Sequence, residues 1–266
     1  MAMIQFQNVT FAYDGSYDNV FENLTFQIDS RWRLGLIGRN GRGKTTLLRI
    51  LAGELHAQGQ IVLPLAPALF PFRMADENEP TLAVMRACAP DAPDWRLMLE
   101  LNGLNMQEEA LQRPYRTLSR GEQTKVQLCA LFARDDTYPL IDEPTNHLDL
   151  AGRALVARYL SGKDGFLLVS HDRAFLNDCI DHTLAINRAS VAVQRGGFDT
   201  WEREFDRKNQ MEQARNEQLK KDVARLTESA RRQAEWSQNT EKGKYHVHQS
   251  EAAVVDRGYI GARAAA

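Results

Sequence analysis

From position 38 the chain reads Gly38-Arg39-Asn40-Gly41-Arg42-Gly43-Lys44-Thr45-Thr46. The first eight of these residues fit G-x-x-x-x-G-K-[ST], a loop whose chemistry is phosphate binding. Its glycines let backbone N–H groups turn inward around phosphate oxygens, and a following helix N-terminus adds unpaired donors and partial positive charge. In such a loop Lys44 reaches the β- and γ-phosphates of a nucleotide and the Thr45 hydroxyl holds Mg²⁺. The flanks suit the role. Residues 33–37 read as a short buried strand, and residues 46–52 as a helix closed by Gly53.

Three further clusters could act on a bound phosphate. Tyr138-Pro139-Leu140-Ile141-Asp142-Glu143 reads as a buried strand that delivers two carboxylates at its C-terminal end. Asp142 has the place of a metal ligand and Glu143 that of a base taking a proton from attacking water. A strand-end Asp-Glu pair is also an ordinary turn signal, and Asn146-His147-Leu148-Asp149, following at once, favours the chemical reading. Ser119-Arg120-Gly121-Glu122 opens a helix, and two readings fit it equally. Serine with glutamate three residues on is a capping box. The same helix start would present donors to a γ-phosphate held by another domain. His171 follows the strand 166–169 and could hydrogen-bond a γ-phosphate and order water, or simply sit at the surface. Tyr13, upstream of the loop, is a candidate for stacking on adenine, with Tyr17 and Phe21 as competitors and plain packing as the alternative.

These groups need elements to place them. Alternation of apolar residues over 4–28 gives antiparallel strands around a polar loop at Asp14-Gly15-Ser16, and residues 60–63 give another strand. Residues 73–117 change character. Loops at 76–80 and 89–93 separate helical patterns at 81–88, 94–101 and 106–112. Residues 119–133 read as a helix. Residues 138–141 and 166–169 read as strands, the latter apolar on both faces, as a parallel sheet requires. Pro139 belongs near its strand's start, where a missing N–H costs least. Residues 184–195 read as a hairpin or a pair of short strands. The fold class is therefore α/β, with a parallel-sheet core, an antiparallel β part and a helical insertion at about 73–135, the whole spanning residues 1–200.

After Gly196-Gly197 the composition shifts. Residues 202–236 hold no proline or glycine, charges alternate, and Leu219, Val223, Leu226 and Ala230 recur at spacings of four, three and four. That spacing fits a paired-helix seam, or a solvated helix with one apolar stripe. From Lys242 the period is lost, so this stretch reads as loop-like or frayed.

Composition sets bounds. With 266 residues, 43% hydrophobic and 26% charged, at net charge −2, the chain suits one globular domain with an appendage. The balance argues against a wholly basic nucleic-acid binder but not against a local basic patch. Cys88, Cys129 and Cys179 lack metal-ligand spacing and fit packed thiols in a reducing cytoplasm. No apolar run nears the ~18 residues of a membrane span, and the N-terminus lacks a signal-peptide pattern.

The order of residues 38–46, 118–123, 140–149 and 170–171 resembles an ABC-type ATPase domain. The resemblance implies that these are the Walker A loop, the signature, Walker B with the D-loop, and the H-switch. It implies ATP and Mg²⁺ as cofactors and Asp149 as the D-loop residue. It also implies that Ser119, Arg120, Gly121 and Glu122 face the nucleotide of a second ABC domain. The run Glu143-Pro144-Thr145-Asn146-His147-Leu148-Asp149, with the charged helix after the domain, is similar to the ABC-F proteins. That family implies two ATPase domains in one chain, a helical-hairpin linker and action on the ribosome. Residues 201–266 resemble the start of that linker, truncated, so the chain reads as an N-terminal fragment of a longer protein. Residues 256–263 resemble a segment on the linker's tip side. Arg39, Arg42 and Arg120 are similar to the antibiotic-resistance branch that protects ribosomes. Arg120 stands where many members have glycine, and Phe72 stands where a Q-loop glutamine is expected. Contact with rRNA would fall to Lys220, Lys221, Arg225, Arg231, Arg232, Lys242 and Lys244, although such a charged helix is often only a solvated face. The rival is the ATPase subunit of a membrane transporter, which predicts that glutamine and a transmembrane partner; Phe72 and the long helix argue against it. A chromosome-type ATPase would need a long coiled coil between the two Walker motifs, where only the helical insertion lies.

Overall fold

The computed structural model describes residues 2–38, 41–74, 76–186 and 190–263. Strands β1 (Met3–Phe11) and β2 (Phe21–Asp29) pair antiparallel, and β4 (Gln58–Val62) joins the far edge of β1. Alternation drives this sheet: Ile4 and Phe6 are buried while the intervening Gln5 is not. The second sheet has six strands in the order β5 (Ala66–Phe70), β6 (Thr137–Asp142), β7 (Phe166–Val169), β3 (Arg33–Ile37), β8 (His182–Ile186), β9 (Val191–Arg195). All neighbours in it are parallel except the β8–β9 hairpin.

The parallel strands are apolar on both faces because each face meets its own core. In β7, Phe166 and Leu168 enter one apolar cluster and Leu167 and Val169 the other. Helix α1 (Lys44–Leu51) packs on the second cluster through Leu47, Leu48, Ile50 and Leu51. The first cluster is built largely from α2 (Thr81–Cys88), α3 (Asp94–Gly103), α4 (Glu109–Gln112), α5 (Arg120–Ala133), α6 (Leu150–Ser161) and α7 (Arg173–Cys179). Because β3, β6 and β7 run parallel and adjacent, their C-terminal ends lie on one edge of the sheet. The phosphate loop, Asp142 and His171 follow those ends, the edge where open α/β sheets bind ligands.

Some elements depart from the sequence expectation. Strand β5 and helices α6 and α7 carry no marked period, and only the fold reveals them. Pro139 is the third residue of β6, in register with Ala68 of β5, and the ladder to β7 begins one residue later, at Leu140. Residues 242–263 are helical and not loop-like: α8 runs from Phe198 to Arg263, 66 residues. A helix nucleated upstream propagates through isolated glycines at only ~1 kcal/mol each, and no proline stops it. The chain divides between Arg203 and Glu204 into two compact units. Among the described residues no helix is long and apolar enough to cross a membrane.

Candidate nucleotide site

The phosphate loop is shaped by backbone conformations that favour glycine. Gly41 has φ +76° and Gly43 φ +87°. A Cβ on Gly43 would lie 2.6 Å from Val20 and 2.7 Å from the buried Phe21 ring. Gly43 is also the N-cap of α1 and supplies no side-chain cap, so the first-turn N–H groups stay free for a ligand. Lys44 Nζ donates to the Gly38 carbonyl at 3.0 Å, which folds the ammonium back across the loop. Thr46 is buried and shares a 2.9 Å hydrogen bond with the Tyr13 hydroxyl.

Lys44 and Thr45 face two carboxylates across a cleft of about 430 Å³, whose walls include Tyr13, Gly41, Gly43, Asp142, Glu143 and His171. Asp142 ends β6. Burial pushes its carboxyl above the usual carboxylate range, while the Thr45 hydroxyl, the Lys44 charge and His171 pull it back. Glu143 sits at φ +50°, a left-handed conformation for a non-glycine residue, fixed by its N–H donating to Val169 O at 2.9 Å. Its Oε2 accepts from the His171 backbone N–H at 3.1 Å. Its Oε1 lies 3.4 Å from His171 Nε2, an ion-pair distance without hydrogen-bond geometry.

Asp142 Oδ1 and Glu143 Oε1 are both buried and accept no hydrogen bond. Such acceptors are costly unless a cation or water meets them. Among the described residues no three His, Cys, Asp or Glu side chains form a metal cage of their own. The arrangement thus fits an ion held by one carboxylate, one hydroxyl and ligand phosphates, the way Mg²⁺ is usually bound.

Of the three aromatic candidates, Phe21 is fully buried under the loop, Tyr17 is fully exposed outside the cleft, and Tyr13 lines it. Tyr13 also packs edge-on against Phe11, at 5.0 Å between ring centroids. Arg42 is exposed and outside the cleft lining, and Asn40 lies outside the described residues.

A second cleft, of about 520 Å³, gathers Ser119, Arg120, Gly121, Glu122 and Asp149 and shares no lining residue with the first. Here the capping box is formed. Ser119 Oγ accepts from Glu122 N at 3.2 Å, and Glu122 Oε2 accepts from Ser119 N at 2.7 Å. Arg120 donates to Gln123 Oε1. Asp149 caps α6 by accepting from Gly152 N at 2.7 Å. Phe72 is half-buried and packs against the apolar core, and its N–H donates to Gln127 Oε1 at 2.8 Å.

Arg153 was not legible in the sequence. It donates to Leu148 O and to Asp172 Oδ2, and so ties the loop before α6 to the turn after β7. It lies in a helix without a marked period. The sequence cue on the partner side is Asp172, which caps α7 by accepting from Phe175 N.

Residues 21–146 match the family model described as ABC transporter. Over 209 residues the chain is 30% identical to ABC transporter F family member 3 of Arabidopsis thaliana, covering 76% of this chain and 29% of that protein. It is 31% identical over 222 residues to the probable ATP-binding protein YheS of Escherichia coli, covering 79% and 34%. A solved ATP-binding subunit of an ABC transporter superposes with a TM-score of 0.64 at 22% identity, over 77% of this chain and 93% of that one. The chain therefore spans only 29% and 34% of the length of these two curated relatives. The parallel sheet with its phosphate loop, the matched family model and the F-family relatives lead to one assignment: the chain carries an ABC ATPase domain of the kind found in ABC-F family proteins.

Proposed function

We propose that this chain is an ATP-binding and hydrolysing cassette of an ABC-F protein that acts on the ribosome. The observation that carries the ATPase part is the convergence on one cleft of Lys44, Thr45, Asp142, Glu143 and His171, with two buried carboxylate oxygens left without donors. In this reading residues 38–46 wrap the phosphates, Lys44 leaves Gly38 O for the β- and γ-phosphates, and Tyr13 stacks on adenine. Thr45 and Asp142 hold Mg²⁺, which when bound offsets the charge on the phosphate oxygens. Glu143 takes a proton from water as the water oxygen bonds to the γ-phosphorus. The bond from that phosphorus to the bridging oxygen breaks, and ADP leaves with the electron pair. His171, against Glu143, orients the water and senses the γ-phosphate.

Ser119, Arg120, Gly121, Glu122 and Asp149 serve the nucleotide of a second ABC domain, in the same full-length protein or in a second copy. The ribosomal role is supported by the 66-residue helix α8 with its mixed charge and by the resemblance of residues 143–149 to ABC-F proteins. Arg39, Arg42 and Arg120 support a narrower role in drug resistance through ribosome protection. The test is co-sedimentation of the full-length protein carrying Glu143→Gln with ribosomes, with ATP and with ADP. Pelleting that requires ATP supports the reading. No pelleting, despite measured ATP binding, overturns the ribosomal part and favours a transporter-type ATPase subunit.

A further inference from the structure

Helix α7 connects two places with different roles. Its N-cap, Asp172, adjoins His171 and is held by Arg153. Its apolar side, with Phe175 and Leu176, is buried in the large apolar cluster, against which Phe198 and Trp201 of α8 also pack. Two of its other polar side chains, Arg173 and Asn177, stand four residues apart and so on one face. Both grip the start of α8. Arg173 Nη1 donates to Glu202 Oε1 at 2.6 Å, and its guanidinium lies 5.0 Å from the Phe198 ring centroid. Asn177 Oδ1 accepts from the Asp199 backbone N–H at 3.0 Å and so caps α8 from another helix. The approach is tight: a Cβ on Gly197 would stand 2.7 Å from that same oxygen.

We propose that Arg173 and Asn177 are positioning residues that couple the turn at His171 to the root of α8. The proposal rests on the reading of His171 as the γ-phosphate sensor. A γ-phosphate that engages His171 fixes the 170–172 turn, hence the N-cap of α7, hence the two side chains that hold residues 198–202. Because coupling is reciprocal, a partner that fixes the root of α8 also biases His171 toward its γ-phosphate position. One exposed ion pair is worth little on its own. The cap, the cation–π contact and the shared apolar cluster make the grip more than that pair.

The test is amide hydrogen exchange on the full chain, comparing a non-hydrolysable ATP analogue with ADP. The Asp199 amide is itself the hydrogen that Asn177 holds. In the wild type, the analogue should slow exchange at residues 41–46, at 170–172 and, about fivefold, at 198–203. In Arg173→Ala and Asn177→Ala the slowing at 198–203 should disappear while that at 41–46 persists. Reversing the pair, Arg173→Glu with Glu202→Arg, should restore it, which loss of local structure alone would not do. Equal exchange at 198–203 with the analogue and with ADP in the wild type overturns the coupling and leaves the nucleotide reading standing, as does a response that survives both alanine variants. No slowing at 41–46 in any form overturns the nucleotide reading itself.

Discussion

At the scale of single residues, chemistry and backbone strain coincide at Glu143. A left-handed φ on a non-glycine residue costs on the order of 1–3 kcal/mol and persists only where the surroundings impose it. Here the Val169 carbonyl and the His171 N–H impose it and aim the carboxylate into the cleft. Replacing it by the isosteric amide removes the base and keeps the shape. Glu143→Gln should hold ATP about as well as the wild type while steady-state turnover falls ~100-fold or more; turnover within a few-fold of wild type would remove Glu143 from the base role. Gly43→Ala adds one methyl where φ is +87° and where Val20 and the buried Phe21 already stand within 2.8 Å. Chemical denaturation should show a loss of about 2 kcal/mol, with nucleotide binding lost as well. Lys44, Asp142 and Glu143 were legible in the sequence because their spacing follows from the phosphate and metal chemistry. The conformation of Glu143 and the Arg153 bridge were not legible, since both depend on contacts between segments far apart in the chain.

At the scale of elements, α5 shows why a sequence motif can leave two roles open. The reciprocal bonds between Ser119 and Glu122 are made, so the capping reading is realised, and the same helix start lines the second cleft. Ser119→Ala should cost about 1 kcal/mol in thermal or denaturant unfolding. The hydrogen bonds from Ser119 hold the Glu122 carboxyl below its ordinary value. A carboxyl depressed in the folded state stabilises the fold above its unfolded pKa of about 4.3, and that contribution fades as pH falls through the lower folded value. The stability gap between wild type and Glu122→Gln should therefore be largest near neutral pH and close in acid, as denaturant midpoints across pH would show; a gap that widens toward acid contradicts the cap. The antiparallel strands and α2 were legible because one face meets water and leaves a period. Strand β5 carries Pro67 in a short run, α6 has Gly152 in its first turn, and α7 has only seven residues. None of these is long or regular enough to signal its type before the sheet assembles around it.

At the scale of the whole molecule, the two clefts are separate: the phosphate loop lines one, the Ser119–Gly121 segment the other, and among the described residues none lines both. If each nucleotide is completed by the second cleft of another domain, one copy holds two halves that cannot complete each other. Turnover per chain should then rise with chain concentration, and rapid, concentration-independent turnover by a proven monomer would contradict the composite site. A mixing experiment makes the argument sharper. Lys44→Ala removes the phosphate grip but leaves the second cleft intact. Gly121→Trp fills the second cleft, where even a methyl would stand 3.2 Å from the His147 carbonyl, and leaves the phosphate loop intact. Each variant alone should be nearly inactive, the first for want of ATP and the second for want of a complementing surface. Mixed in equal amounts, half the pairs formed at random contain one of each, and each such pair has one complete site of two. Activity should return to roughly a quarter of the wild-type rate in a two-fold assembly. A mixture as inactive as its components, while the Gly121→Trp chain still binds ATP, would mean that the second cleft does not complete the nucleotide site.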